Sequence, residues 1–65
     1  MEKLRELLPI GYIAFNGYIF TRWDCMVYNR LQDEINSYIK YNRHVPAWLL
    51  NESHRTFSII CGLYE

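Results

Sequence analysis

The first third of the chain is rich in apolar and β-branched residues, and Asn16-Gly17 divides this run into two similar halves. Asn-Gly between two such runs is a strong hairpin signal, because a type I′ turn needs positive φ at both of its central residues. The pattern therefore predicts an antiparallel β-hairpin with strands over residues 10–15 and 18–23.

A two-residue turn also determines which side chains share a face of the hairpin. One face would carry the pairs Phe15 with Tyr18 and Ile13 with Phe20. The other face would carry Ala14 with Ile19, Tyr12 with Thr21, and Ile10 with Trp23. Both faces are largely apolar, whereas a half-buried hairpin normally alternates apolar with polar positions. One of these faces therefore needs a cover that the hairpin itself does not provide.

Helical periodicity starts after Asp24, the expected N-cap, and continues from Cys25 to about Arg43. The apolar stripe of this segment consists of Val27, Tyr28, Leu31, Ile35, Tyr38 and Ile39. The other side is filled by polar residues, namely Asn29, Arg30, Gln32, Asp33, Asn36, Ser37 and Lys40. The segment is predicted to be an amphipathic helix that turns its polar side to water.

Two shorter segments complete the predicted fold. Residues 2–8 have three leucines on one helical face and stop at Pro9, which predicts about two turns of helix. A last helix is expected to start at Pro46, which suits a first helical turn. Its apolar stripe contains Leu50, His54, Phe57 and Cys61, and Gly62 followed by Leu63 resembles a Schellman stop.

A strand over residues 55–64 is a competing interpretation of the last segment, because Thr56, Ile59 and Ile60 favour strands. The expected fold class is α+β in a single domain, residues 1–65. It consists of a short N-terminal helix, the Asn-Gly β-hairpin and two amphipathic helices packed on the hairpin. If the last segment is a third strand, the order becomes ββαβ.

Composition limits the class of function. Sixty-five residues with 51% hydrophobic and 17% aromatic content indicate a small folded domain with a limited core. Seven basic and seven acidic residues balance to a net charge of zero. A nucleic-acid binder usually needs a basic excess, and a mimic of DNA needs an acidic one. Zero net charge instead favours association with another protein or with a second copy.

The two cysteines and the N-terminal residues are used to predict the cellular compartment. Cys25 and Cys61 form neither a CxxC pair nor a dense disulfide framework, and their spacing leaves open whether they can pair. The N-terminal residues include acids, unlike a signal peptide, and the next apolar run is shorter than the roughly 20 residues that span a bilayer. We expect a cytoplasmic protein with reduced thiols and no membrane contact.

The sequence offers little for catalysis or metal binding. His54 and Cys61 could be combined with Cys25 or His44 around zinc, but they lack the short paired spacings of structural zinc sites. A cysteine nucleophile with a histidine base would also need an orienting group and an oxyanion site. A glycine-rich phosphate loop is absent from the sequence. We expect no enzyme activity, no cofactor, no metal and no small-molecule substrate.

Nucleic-acid binding is a secondary alternative. Two consecutive predicted helices joined near residues 43–46 could act as a helix-turn-helix. The residues that would contact a phosphate backbone are Lys40, Arg43, His44 and Arg55. Acidic residues at Asp33, Glu34 and Glu52 oppose this interpretation, and basic residues at a helix end are also common capping residues.

A protein partner is the favoured hypothesis. The helices can cover the hairpin face that contains Ile13 and Phe20, which leaves the opposite face exposed. That face carries the candidate partner-binding residues Ile10, Tyr12, Ile19 and Trp23. A sizeable exposed apolar patch usually marks an interaction site. The simpler alternative is that the aromatic residues form one dense core.

Two kinds of partner are open. By analogy from size and composition alone, the chain could be a phage or mobile-element inhibitor or adaptor that binds and blocks a larger host protein. The alternative is a self-associating structural or assembly protein, such as a symmetric homodimer.

Overall fold

The computed structural model describes residues 3–62 of the chain and contains two helices. Helix α1 spans Arg22–Lys40 and helix α2 spans Ala47–Ile60. Within residues 3–62 there is no β-strand, and an isolated antiparallel bridge joins Ile13 to Ile19. The predicted α+β class is therefore wrong, both as a hairpin with two helices and as ββαβ. The described chain is a small, mostly helical fold.

The Asn-Gly turn has a different geometry from the predicted one. Gly17 takes the left-handed conformation at φ 87°, but Asn16 has no positive φ, so the turn is not type I′. The N–H of Gly17 donates to the carbonyl of Ala14 at 2.9 Å, and Ala14 N–H donates to the carbonyl of Tyr18 at 2.8 Å. The loop therefore has three residues, with glycine alone in the left-handed position. The Asn16 amide meanwhile donates to the carbonyl of Cys61 at 3.0 Å, which ties the loop to the end of α2.

The longer loop shifts the pairing register by one residue. Ile13 now lies opposite Ile19, where the two-residue turn would have paired Ala14 with Ile19. A one-residue shift sends side chains to the opposite face. Phe20 and Ala14 are consequently buried, and Ile13 is exposed. The predicted assignment of Ile13 and Phe20 to one face is wrong.

Hydrogen bonds between the two segments continue past the bridge, but no regular strand follows it within the described residues. Phe20 N–H donates to the carbonyl of Tyr12 at 2.8 Å, and Gly11 N–H donates to the carbonyl of Phe20 at 3.0 Å. Pro9 accepts the N–H of Tyr12 at 3.0 Å in a tight turn, and Gly11 within that turn has φ 87°. On the other side, Thr21 already serves as the N-cap of α1. The N–H groups of Tyr12 and Thr21 are therefore committed to a turn and to the helix cap, and they are not available for a regular ladder.

Helix α1 begins three residues earlier than predicted, because Thr21 and not Asp24 is its N-cap. The Thr21 hydroxyl accepts the N–H of Asp24 at 3.2 Å, and an Asp24 carboxylate oxygen accepts the N–H of Thr21 at 3.1 Å. This reciprocal capping box satisfies two backbone donors at the helix start. Trp23, predicted to lie in a strand opposite Ile10, is consequently in the first turn of α1.

The C-terminus of α1 closes in a Schellman motif around Asn42. Asn42 has φ 55°, its N–H donates to the carbonyl of Ile39, and Arg43 N–H donates to the carbonyl of Tyr38 at 2.8 Å. The helix thus ends at Lys40, a few residues before the predicted end.

The helical interpretation of the last segment is confirmed over Ala47–Ile60, with Pro46 as the N-cap. Gly62 follows with φ 76°, and its N–H donates to the carbonyl of Ile59, as expected for a helix stop. Leu63 and the end of the alternative strand lie outside the described residues. The buried stripe is rotated from the predicted one: Leu49 and Ser53 are buried, whereas Leu50 and His54 are exposed.

The predicted N-terminal helix is also wrong over residues 3–8; Glu2 lies outside the described residues. Asn36 accepts the N–H of Arg5 at 2.7 Å and donates to its carbonyl at 2.9 Å. Asn29 binds Leu8 in the same way, at 2.8 and 2.9 Å. Seven helical residues rise about 10.5 Å, which matches the roughly 10 Å of three extended residues. The two asparagines therefore hold this segment extended along α1.

The core consists of two clusters connected by one polar pair. The first cluster contains Ala14, Phe20, Cys25 and Cys61, and the second contains Ile35, Ile39, Val45 and Leu49. Between the two helices Ser53 donates its hydroxyl to Gln32 at 2.7 Å, and both residues are buried. Gln32 was predicted to face water. Its burial is stable because the hydrogen bond replaces one it would have made with solvent.

Candidate interaction surface

Helix α1 has apolar residues on two opposite sides. Its buried side is formed by Cys25, Gln32, Ile35 and Ile39. A helix turns by 100° per residue, so Trp23, Met26 and Val27 fall on the side that points away from this core. The exposed fractions of these side chains are 69%, 56% and 37%, respectively.

Ile10 extends this apolar side beyond the helix. Its side chain is 68% exposed and lines a groove together with Met26. We call the set of Ile10, Trp23, Met26 and Val27 the outer face.

Two grooves meet at the outer face, and Met26 and Arg30 line both of them. The first groove lies between α1 and α2 and is also lined by Trp23, Val27, Leu31, Glu34, Glu52 and Thr56. The second groove lies toward the N-terminal segment and is also lined by Leu8, Ile10, Arg22, Cys25, Asn29 and Asp33. The outer face is thus the ridge between two depressions, a shape that can insert into a complementary surface.

Charged residues of both signs surround the apolar ridge. Arg22 and Arg30 are basic, Asp33 and Glu34 are acidic, and all four are exposed. An apolar centre with a polar rim is the common anatomy of protein interfaces. The balanced rim favours a partner with its own mixed charges over a polyanion.

The four predicted partner-binding residues do not form one patch as the hairpin model required. Ile10 and Trp23 both lie on the outer face, joined by Met26. Ile19 is exposed but lies opposite Ile13 in the bridge. Tyr12 is half-buried, and its ring packs edge-on against Phe20 with centroids 5.5 Å apart.

Val27 was predicted to lie on the core-facing apolar stripe of α1 but is exposed, and Met26 was not recognised as a surface residue of this face. The spacing of Trp23, Met26, Val27 and Arg30 is i, i+3, i+4 and i+7, which is one side of a helix. That signal becomes visible only when Trp23 is placed in the helix. The Thr21-x-x-Asp24 capping pattern could have placed it there.

The residues of the nucleic-acid alternative lie in two places. Lys40, Arg43 and His44 are exposed and follow one another around the Schellman turn after α1. Arg55 is exposed in the middle of α2. In this region, Arg43 lines a shallow groove beside Glu34 and Tyr41, so acidic and basic groups are mixed here as well.

Tyr18 and Asp24 are titratable side chains that bind each other. The Tyr18 hydroxyl donates to Asp24 at 2.7 Å, and this bond together with the Thr21 N–H lowers the pKa of Asp24 below its ordinary value. The same hydrogen bond raises the pKa of Tyr18. Each group thus stabilises the other in its neutral-pH ionisation state.

The cysteines are two free thiols buried in the same cluster. Burial raises the pKa of Cys61, which is opposite to the shift that activates a cysteine nucleophile. The Cys25 thiol donates to the carbonyl of Pro9 at 3.3 Å. Residues 3–62 contain no group of three or more His, Cys, Asp or Glu side chains placed to hold a metal ion.

Comparison with known proteins gives this chain no relative: no family model, no curated protein and no solved structure matches it. Neither α1 nor α2 has the combination of length and apolarity needed to cross a membrane.

Proposed function

We propose that this protein is a non-enzymatic interaction module that docks on another protein through the outer face of α1. The observation that carries the proposal is the position of Trp23, Met26 and Val27 on the side of the helix opposite the core. A helix needs one apolar side to fold against its neighbours. The second apolar side of α1 has no such role within the described chain.

A dense core is the alternative explanation for so many aromatic residues, and the burial pattern argues against it. The first core cluster takes up Tyr12, Tyr18, Phe20, Tyr28 and Phe57. Trp23 is not among them and stays more than two-thirds exposed. Tryptophan at the centre of an exposed apolar surface is typical of binding hot spots.

Size and composition alone favour one kind of partner. The 65 residues form a small domain with a limited core. An inhibitor or adaptor of phage or mobile-element type, acting in the cytoplasm on a larger host protein, is the form of this proposal that the composition favours.

Site-specific photo-crosslinking tests the proposal with a matched pair of tryptophans. A benzoylphenylalanine replaces Trp23 in one variant and Trp48 in the other, since Trp48 is 61% exposed but lies on α2. Irradiation in cells that express the chain is expected to yield discrete protein adducts from position 23 and not from position 48. The adducts are read by their mass after affinity purification.

The control separates a specific surface from general stickiness. Equal adduct patterns from both positions would mean that any exposed aromatic residue is captured. The absence of adducts from position 23, in a variant that keeps the wild-type circular dichroism, would contradict docking through this face.

A further inference from the structure

We infer that the partner of the outer face is a second copy of this chain, bound with the two α1 helices antiparallel about a twofold axis. This inference rests on the proposed docking function of the outer face, and it names a second copy, in place of a larger host protein, as the partner. The observation behind it is that Arg22 and Asp33, two charges beside the apolar ridge, are arranged in a self-complementary order.

Arg22 and Asp33 lie on the same flank of α1. They are eleven residues apart, or about three turns, and the angle between their directions around the helix is only about 20°. Both side chains are exposed, and both line the groove that contains Ile10 and Met26. The flank therefore carries a positive charge toward the start of the helix and a negative charge further along.

A twofold axis perpendicular to α1 near Val27 reverses this order in the second copy. It brings Arg22 level with Asp33 of the partner subunit, and by symmetry Asp33 level with Arg22 of the partner subunit. The axis keeps the same flank of both helices on the same side of the interface. Two ion pairs of opposite charge therefore form at once.

The same axis brings the apolar residues together at the centre. Met26 and Val27 lie within two residues of the axis, so each meets its own counterpart in the other copy. Measured along the helix, Trp23 lies about 3 Å from the level of Arg30 of the partner subunit. This separation suits a cation–π contact. The apolar ridge is thus covered, and Arg22 and Asp33 are paired at its rim.

A small dimer would occupy a modest share of the chain's surface. A standard interface covers about 800 Å² on each partner. That area is about one sixth of the chain's accessible surface of 5127 Å². The outer face, the four rim charges and both adjoining grooves extend along a helix about 28 Å long. The zero net charge of the chain adds no long-range repulsion between copies.

A charge-swap experiment tests the arrangement. Light scattering after size exclusion is measured for the wild type, for Arg22→Asp, for Asp33→Arg, and for an equimolar mixture of the two variants. The wild type is expected to be a dimer at micromolar concentration. A dimer of either single variant would contain two pairs of like charges. Its dissociation constant for dimerisation is therefore expected to rise by roughly tenfold or more. The mixture restores both pairs and is expected to dimerise again.

A cysteine crosslink provides a second measurement that does not depend on charge reversal. Val27→Cys places a thiol beside the axis, and oxidation with copper phenanthroline is expected to give a disulfide-linked dimer on a non-reducing gel. Trp48→Cys on α2 is the matched control, and it is expected to run as a monomer on the same gel because no disulfide links the two copies.

Several results would overturn the antiparallel dimer. The first is a wild type that remains monomeric across the concentration range. The second is an equimolar mixture of the two charge variants that does not dimerise. The third is equal disulfide crosslinking from cysteines at positions 27 and 48. If the wild type is monomeric while the photo-crosslinker at position 23 captures a different protein, the dimer is wrong and the docking function stands. If both experiments fail, the outer face is not an interface.

Discussion

Single polar side chains determine where this chain turns and where its helices start. Thr21 and Asp24 close the capping box of α1, and Asn16 binds the end of α2. Each of these side chains forms hydrogen bonds with backbone groups that have no partner within a helix. Asp24 has a double role, because it also accepts the Tyr18 hydroxyl at 2.7 Å.

Tyr18→Phe should raise the pKa of Asp24 toward its ordinary value of 3.8. The Tyr18 hydroxyl makes the largest contribution to the lowered pKa, and the N–H of Thr21, which remains in the variant, retains part of the effect. Carboxyl NMR titration of wild type and variant measures the change directly.

The pH dependence of stability follows from the same contact. The folded-state pKa of Asp24 lies below its unfolded value, so its stabilising contribution is complete above that unfolded value and is lost as the pH falls through the folded pKa. Asp24→Asn should therefore lose stability at neutral pH and show a smaller further loss in acid than the wild type. An unchanged Asp24 titration in Tyr18→Phe would show that the contact is not formed in solution.

Among the elements, the N-terminal segment departs furthest from its sequence pattern. Leu4, Leu7 and Leu8 suggest an amphipathic helix, but a helix of two turns is unstable alone. Asn29 and Asn36 offer its backbone four hydrogen bonds in an extended form instead. The seven-residue spacing of these asparagines was visible in the sequence, but its meaning depends on which chain segment lies beside α1.

Asn29→Ala should loosen this segment without unfolding the helices. The substitution removes both hydrogen bonds to Leu8, each worth about 1 kcal/mol. Hydrogen exchange of the Leu8 amide is expected to become roughly tenfold faster or more. Asn51→Ala on the exposed side of α2 is the control and should leave that amide unchanged. An equally slow Leu8 amide in both variants would contradict the asparagine clamp.

At the scale of the whole molecule, sequence patterns identified the two long helices but not the architecture. Apolar residues repeat at helical spacing before Ile39 and after Pro46. This spacing is a strong local signal, and both predicted helices are present. The conformation between residues 10 and 21 depends on whether two or three residues form the turn. One extra residue shifts the pairing register and moves the side chains to the opposite face. That choice was decided by distant contacts, such as Asn16 with Cys61, which no local pattern contains.

The candidate site was predicted in part for the same reason. Ile10 and Trp23 were recognised as surplus apolar residues, and both lie on the outer face. Tyr12 was placed on the wrong side by the register error. Val27 was assigned to the apolar stripe of α1 that was expected to be buried, and Met26 was assigned to neither side of the helix. The excess of apolar surface was visible in the composition, whereas its position required the helix boundary.

Equilibrium unfolding in urea at submicromolar protein concentration, where self-association is minimal, tests most directly whether the outer face is a surface and not part of the core. The comparison is between Met26→Glu on the outer face and Leu49→Ala in the second core cluster. The outer-face variant is expected to unfold within about 0.5 kcal/mol of the wild type, as exposed substitutions do. The core variant is expected to lose about 2–5 kcal/mol. If Met26→Glu costs as much as Leu49→Ala, the outer face belongs to the core and the docking account is contradicted.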